Sequence, residues 1–169
     1  MKKRLLSLLL ICCMVLTLMP ATAFAAATKY TLAVDDFWFD SDNLTYRGTT
    51  GTATYNPNTT TLTLDNFSIT ASNNEGSVIY SEIPGLKIVV KGTNTITIPN
   101  TLNAMATAAI ALINANATIS GTSASNDKLI INSAGTSVSQ PFSDGTTRVG
   151  ITTSQSGLTV QNVALQMND

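Results

Sequence analysis

This sequence predicts an all-β protein of short strands stacked in successive coils, and three observations support that prediction. First, Thr61–Thr70 (TLTLDNFSIT) and Gly157–Gln166 (GLTVQNVALQ) share the pattern x-Leu-Thr-apolar-x-Asn-apolar-x-apolar. Second, in three places an isoleucine is followed six residues later by Gly or Asn. Third, the apolar runs are brief and rich in Ile, Val, Leu and Thr, and such strands bury little surface unless they stack. We expect a right-handed parallel β-helix of about three to four short coils.

The chain opens with the features of a secretory signal peptide, residues 1–25. Lys2–Arg4 precede the apolar run Leu5–Met19, and Ala23–Ala25 (AFA) provides a small-residue cleavage site. The run is shorter than the ~20 residues that span a bilayer, so no membrane attachment is expected after cleavage. The expected location is secreted, either extracellular or at the cell surface.

The composition of residues 26–169 excludes several classes of function. This part has no Cys and no His, and it carries six basic and ten acidic residues. Histidine-based acid–base catalysis, thiol nucleophiles, ordinary zinc sites and disulfides are therefore excluded. So few Lys and Arg argue against a nucleic-acid partner. A surface rich in Thr, Ser and Asn suits neutral or weakly charged polymers.

The first part of the mature chain, residues 26–56, is expected to be an N-terminal strand and capping segment, followed by the coils in residues 57–169. Lys29–Val34 alternates as a strand should. Leu44–Thr54 is expected to be a connection punctuated by glycine, and Asn56–Asn58 (NPN) is a turn signal.

Three segments align on the isoleucines and predict the register of the coils. Gly and Asn accept a positive φ, so the turn residue six positions on is expected to form the same backbone corner each time. The Ala-rich stretch Leu102–Ala115 favours a helix by propensity, but it contains one of these isoleucines, so a helical turn is expected only at Leu102–Thr107. The isoleucines, which should stack, are Ile79, Ile110 and Ile151, and the turn residues are Gly85, Asn116 and Gly157.

Extra residues accumulate at one corner of the predicted coils. The separations are ten residues from Ile69 to Ile79, fourteen from Ile96 to Ile110 and twenty from Ile131 to Ile151. Loops on one edge of a rigid scaffold commonly carry binding. The insertions are Ser72–Gly76, Pro99–Thr107 and Ala134–Arg148, with a smaller bulge at another corner, Gly121–Asp127.

A β-sandwich is the alternative fold, because it also consists of many short strands with turn signals. A sandwich predicts hairpins with tight turns of the Asn-Gly or Asp-Gly type. The only such pair, Asp144-Gly145, lies in a loop. The sequence therefore favours the stacked coils.

One dense group of carboxylates and aromatic rings lies in residues 35–43 (DDFWFDSDN). Oxygen ligands suit calcium and ring faces suit a sugar, so a calcium site is one interpretation. The other is a strand with Phe37 and Phe39 on one face and Trp38 on the opposite one, ending in an Asx turn at Asp40–Asn43. The candidate calcium ligands are Asp35, Asp36, Asp40 and Asp42.

Aromatic side chains are the candidates for stacking on sugar rings. Trp38 and Tyr80 lie on predicted strands, and Phe142 shares the longest insertion with Asp144 and Arg148. These five residues are the candidate carbohydrate-binding set, and no catalytic residue is predicted. Elsewhere, the equivalent positions of Asn66 and Asn162 predict an internal asparagine stack between coils.

Three runs resemble secreted carbohydrate-binding β-helix domains of clostridia-type Gram-positive bacteria. They are Ala53–Ile69 (ATYNPNTTTLTLDNFSI), Leu86–Ile96 (LKIVVKGTNTI), and Ala117–Gly121 (ATISG) with Lys128–Ile131 (KLII). The similarity covers most of residues 30–167. It implies a parallel β-helix related in shape to polysaccharide lyases, which binds plant-type polysaccharide without cleaving it and holds calcium.

The expected function is that of a secreted, non-catalytic polysaccharide-binding module, with calcium as the one candidate cofactor. The alternative is a structural or adhesive cell-surface module without a small ligand, and a polysaccharide lyase-like enzyme is third. The chain departs from the family pattern by stopping at Asp169 directly after a repeat strand. We expect either a fragment of a longer protein or a partner that docks on the open C-terminal coil.

Overall fold

The computed structural model describes residues 26–72, 77–99, 108–113, 116–133, 149–154 and 157–168, which form strands and no helix. Accordingly, no helix in these ranges is long and apolar enough to cross a membrane. The predicted signal peptide and the predicted helical turn at Leu102–Thr107 lie outside the described residues. The strands are Lys29–Val34 (β1), Phe37–Asp40 (β2), Thr45–Arg47 (β3), Thr50–Asn56 (β4), Thr61–Thr70 (β5), Ser77–Ser81 (β6), Lys87–Lys91 (β7), Thr93–Ile98 (β8), Ala108–Ile113 (β9), Ala117–Ser120 (β10), Lys128–Ser133 (β11), Val149–Ser154 (β12), Leu158–Gln161 (β13) and Ala164–Asn168 (β14).

These strands form two sheets. Seven parallel strands curl into one sheet in the order β13-β10-β7-β5-β8-β11-β14, and the hairpin β3–β4 adds to β5 in the antiparallel direction. The second sheet is mixed and has the order β12-β9-β6-β1-β2, in which β6, β9 and β12 are parallel. Among the described strands from β5 onward, every pairing with one another is parallel. The hairpins that a β-sandwich predicts are therefore not found there.

The chain visits the same three strand positions in rotation, which divides the parallel strands into four layers. Layer 1 is β5 with β6, layer 2 is β7 to β9, layer 3 is β10 to β12, and layer 4 is β13 with β14. The long strand β5 serves two positions, because its first half pairs with β7 and its second half with β8. Each layer therefore lies directly on the one before it.

The predicted isoleucine register is confirmed. Ile110 is the Cα partner of Ile79 on one side and of Ile151 on the other. All three side chains are buried, and full burial of an aliphatic side chain stabilises a fold by about 1.5–3 kcal/mol. Gly85 has a φ of +68°, as expected for its corner, but Asn116 and Gly157 are not among the described residues with a positive φ, so an identical corner is not found at all three positions.

The comparison of the two decapeptides, in contrast, is wrong by two residues. It placed Leu62 over Leu158, whereas Leu62 pairs with Ile88, Ile88 with Ile119, and Ile119 with Val160. A slip of two keeps every side chain on the same face of its strand, so the apolar pattern looks equally good in both registers. Only the contacts between layers distinguish them.

The segment Leu44–Thr54 is not a connection, as predicted, but contains β3 and most of β4. Its alternation buries Ala53 and leaves its strand neighbours partly exposed. The hairpin needs Gly51, whose φ is +62° and whose Cβ would lie 2.2 Å from the Asp65 carbonyl oxygen. The prediction took glycine for a loop signal, although here it permits a close approach of two strands.

The predicted strand and turn around β2 are confirmed. Phe39 is fully buried and Phe37 packs against the core, while Trp38 on the opposite face is 53% exposed. At the other turn, the Asn58 amide donates to the side chain of Asn56 at 3.0 Å. Rings from β1 to β5 then form one continuous cluster with neighbouring centroids 5.1–6.2 Å apart. Its members are Tyr30, Phe37, Phe39, Tyr46, Tyr55 and Phe67.

The predicted asparagine stack is wrong, because Asn66 and Asn162 are not equivalent and both are exposed. Each instead has a positive φ, 46° and 54°, at a corner of the curled sheet. A side-chain column occurs elsewhere on the sheet. Asn168 donates to Asn132 at 2.8 Å, and Asn132 donates to the Thr97 hydroxyl at 3.4 Å.

Candidate functional site

The outer face of the mixed sheet carries a lateral row of small and aromatic side chains. Ala33 on β1 pairs with Trp38 on β2 and with Tyr80 on β6. Tyr80 in turn pairs with Ala111 on β9. The register therefore places Ala33 between the Trp38 and Tyr80 rings, with Ala111 on the far side of Tyr80. We call these four residues the aromatic row.

The two rings lean toward each other across the intervening strand. Their centroids lie 5.9 Å apart with an interplanar angle of 64°, although strands two apart are separated by roughly 9–10 Å. Ala33, which lies between the two rings on this outer face, is only 3% exposed. Trp38 itself remains 53% exposed. A larger residue at position 33 would push the rings apart.

Tyr80 is held by packing against alanines and by a hydrogen bond at its hydroxyl. It packs against the buried Ala108 and Ala111, and its hydroxyl donates to the Glu82 carboxylate. That hydrogen bond, together with burial and the Glu82 charge, raises the pKa of Tyr80 to about 12. The hydroxyl is therefore protonated at neutral pH and is hydrogen-bonded to Glu82. The ring contributes an apolar surface.

The predicted calcium ligands are spread over separate local structures. Asp40 accepts the Asp42 and Asn43 amides at 2.9 and 2.8 Å and the Asn43 side chain at 3.0 Å, which is the predicted Asx turn. The Asn43 hydrogen bond is the main reason that the pKa of Asp40 lies below its usual range. Asp35 instead accepts the Ser72 hydroxyl at 2.5 Å.

No group of three or more acidic side chains within the described ranges is arranged to hold a metal ion. The four aspartates include Asp36 on the exposed β1–β2 turn and Asp42, which accepts from the Ser41 hydroxyl at 3.4 Å. Calcium binding by Asp35, Asp36, Asp40 and Asp42 stays a prediction.

The structure joins Trp38 and Tyr80 of the predicted carbohydrate-binding set, whereas Phe142, Asp144 and Arg148 lie outside the described residues. The three predicted insertions lie in the connections that lead from the curled sheet to β6, β9 and β12. They are Ser72–Gly76, Pro99–Thr107 and Ala134–Arg148. These strands are parallel neighbours, so all three connections enter the mixed sheet at the same edge. The predicted accumulation at one corner agrees with that topology.

The smaller bulge at Gly121–Asp127 is organised by a residue that the sequence patterns did not single out. Asp127 accepts the Gly92 amide at 2.8 Å from the layer below, and the Thr122 amide and hydroxyl at 2.6 and 2.7 Å. These bonds, led by the Thr122 hydroxyl, hold the pKa of Asp127 well below its usual range. The sequence feature that could have predicted this turn is Thr122-Ser123 a few residues before Asp127, because such side chains and amides commonly bond to a nearby aspartate.

Asn94 has the corresponding role one layer earlier and was also missed. It is fully buried, accepts the Phe67 amide at 2.8 Å, and donates to the Lys91 and Gly92 carbonyls at 3.0 and 3.2 Å. Both polar residues close corners of the curled sheet. They are structural and lie apart from the aromatic row.

Compared with models of protein families, with curated proteins and with solved structures, the chain gives no match. A function for this chain is therefore argued from the geometry of its described residues.

Proposed function

We propose that the chain is a secreted, non-catalytic module that binds polysaccharide through the aromatic row. The observation that carries this proposal is the exposed Trp38 ring beside the rigidly held Tyr80 ring. The proposed scaffold is a right-handed parallel β-helix of about three and a half coils. The rotation of the chain through three strand positions supports that fold.

The aromatic row suits the apolar face of a sugar ring. Aromatic side chains offer a large flat surface, and a partly exposed tryptophan gains by covering that surface with C–H groups. Because the two rings are inclined at 64°, the exposed Trp38 face is the stacking surface, and Tyr80, packed on two alanines, supports it from the side.

The low charge of the molecule supports a neutral or weakly charged ligand. The mature chain has few charged residues, and the aromatic row itself contains none. The Glu82 carboxylate beside Tyr80 accepts the hydrogen bond of the Tyr80 hydroxyl. Binding through the aromatic row does not require calcium.

The single tryptophan makes the test specific. Trp38 is the only Trp in the chain, so its fluorescence reports on the aromatic row alone. Residues 26–169 should bind to cellulose, xylan or pectin in a pull-down, and soluble oligosaccharides of the retained polymer should shift the Trp38 emission. A parallel series with a calcium chelator measures any contribution of the ion.

Substitutions separate ring stacking from other contacts. Trp38→Ala should weaken binding about tenfold or more, because it removes the exposed stacking surface. Tyr80→Phe keeps the ring and removes only the hydroxyl, so it should bind nearly as well as the unmodified protein. Retention on no polymer, or full retention by Trp38→Ala, would contradict the proposal.

The same preparation distinguishes the other two interpretations. A structural or adhesive module predicts no shift in Trp38 fluorescence with any oligosaccharide. A lyase predicts new ultraviolet absorbance from unsaturated products during incubation with polygalacturonate. We expect a flat absorbance trace.

A further inference from the structure

The charged residues of the molecule are divided unequally between its two sheets. Among the described residues, the mixed sheet and its adjoining turns carry five carboxylates and one basic residue. The curled sheet and its corners have the reverse excess, four basic residues and two carboxylates. The first set is Asp35, Asp36, Asp40, Asp42 and Glu82 with Lys29, and the second is Arg47, Lys87, Lys91 and Lys128 with Asp65 and Asp127. The sheet that carries the aromatic row is therefore locally acidic, although the chain as a whole is sparsely charged.

Two of these carboxylates adjoin the aromatic row. Asp40 is two residues after Trp38 on β2, so it lies on the same face of the strand at a spacing of roughly 6.5–7 Å. Glu82 accepts the hydrogen bond of the Tyr80 hydroxyl, and the Tyr80 ring centroid is 5.9 Å from that of Trp38. Charges so close to a binding surface are only partly screened, because the Debye length is about 10 Å at 0.1 M ionic strength.

The single basic residue of this sheet does not balance both carboxylates. Lys29 is the Cα partner of Asp40, so its charge offsets that residue. The neighbour of Glu82 on β1 is instead Thr31, whose carbonyl accepts the Glu82 amide at 2.9 Å. Glu82 is exposed, and it stands on the Tyr80 side of the aromatic row, where the charge of Lys29 does not offset it.

We propose that the aromatic row selects neutral polysaccharides over acidic ones, and that Glu82 is a specificity-determining residue. This inference rests on the proposed function, because it needs a sugar ring stacked on Trp38. An ionised carboxylate only accepts hydrogen bonds, and Glu82 keeps acceptor sites beyond the one that Tyr80 uses. The hydroxyls of a neutral sugar can donate to those sites. A uronate carboxylate cannot, and it also brings a like charge, which binding surfaces use to reject a ligand.

Oligosaccharides that differ only in charge provide the test. One pair is a cello-oligosaccharide and the same oligomer oxidised at C6 to carboxylates, and the other is a methyl-esterified oligogalacturonate and its de-esterified form. Trp38 fluorescence titrations of residues 26–169, with a calcium chelator present, measure a dissociation constant for each probe. At about 10 mM salt the neutral member of any pair that binds should bind about threefold or more tightly. The ratio should approach one near 1 M salt, where the Debye length is about 3 Å.

Three variants locate the source of this ratio. Glu82→Gln removes the charge but keeps an oxygen that can accept from Tyr80, and it should lower the ratio. Lys29→Gln removes the only basic residue of the mixed sheet among those described, and it should raise the ratio. Asp65→Asn removes one negative charge from an exposed position of the curled sheet and should leave the ratio unchanged. Circular dichroism identifies any variant that fails to fold.

The outcomes separate this inference from the proposed function. Equal or tighter binding of the acidic probes would overturn charge selection while leaving polysaccharide binding in place. A ratio that Glu82→Gln leaves unchanged, or that Asp65→Asn lowers as much, would overturn the role of Glu82. Binding of no probe by the unmodified protein would overturn the proposed function and this inference with it.

Discussion

The two ends of the parallel stack are finished in different ways. At the first end, β3–β4 and β1–β2 lie over layer 1 and bring a cluster of aromatic rings onto its columns. Leu62 is fully buried there, and Ile69 is only 4% exposed. At the second end the same columns stop at Val160 and Met167, which are 40% and 42% exposed. A repeat strand is therefore core or surface according to what lies on it, and its own sequence does not decide which.

This comparison predicts a steep gradient of stability along one column. Ile119→Ala, beneath Val160, should lower the free energy of unfolding by about 2–5 kcal/mol, because it leaves a cavity in a packed interior. Val160→Ala should lower it by less than about 1 kcal/mol, because the side chain is already partly in water. Urea denaturation of both variants at low protein concentration provides the measurement. Equal losses would mean that layer 4 is covered in solution.

Two asparagines at corners of the curled sheet, Asn94 in the interior and Asn162 in layer 4, test the same difference between interior and end. Asn94→Ala should cost about 1–3 kcal/mol, since it leaves the buried Phe67 amide and the Lys91 carbonyl without their partner. The matched change Asn162→Ala, at the exposed corner of layer 4, should cost about 1 kcal/mol from its positive φ alone. Asn162→Gly should restore that loss. A larger loss at position 162 than at 94 would contradict the assignment of interior and end.

Low pH should destabilise the corner between layers 2 and 3, where Asp127 accepts its hydrogen bonds. Because hydrogen bonds hold the pKa of Asp127 below its usual range, the folded state binds fewer protons at this group than the unfolded state does. Its contribution to stability is complete near neutral pH and is lost as the pH falls through the ordinary aspartate range toward the lowered value. Asp127→Asn should therefore lose less stability than the unmodified protein between about pH 5 and pH 3. Urea titrations across that range measure the two slopes, and identical slopes would exclude this role.

The stacked architecture could be predicted because three isoleucines carry the register. Ile79, Ile110 and Ile151 each precede a corner by the same number of residues, and the corner fixes where the next strand begins. The decapeptide comparison failed because it had no such marker. Side chains on a strand return to the same face every two residues. A pattern of apolar residues therefore fits two registers that differ by two residues equally well.

The site was only partly predictable for a different reason. Trp38 could be recognised as a candidate from its residue type, but its partner lies more than forty residues away on β6. Ala33, which allows the two rings to meet, carries no chemical signal in the sequence. Likewise, Asn94 looks like an ordinary polar residue of a strand until the backbone groups that it satisfies are placed around it.

The order of the layers is the claim on which the fold, the aromatic row and the open end all depend. Methyl nuclear Overhauser effects in a protein labelled at isoleucine measure it directly. The register predicts strong effects from Ile110 to both Ile79 and Ile151, and much weaker effects between Ile79 and Ile151, which lie two strands or roughly 9–10 Å apart. A strong effect from Ile79 to Ile151, with none from either to Ile110, would contradict the stack.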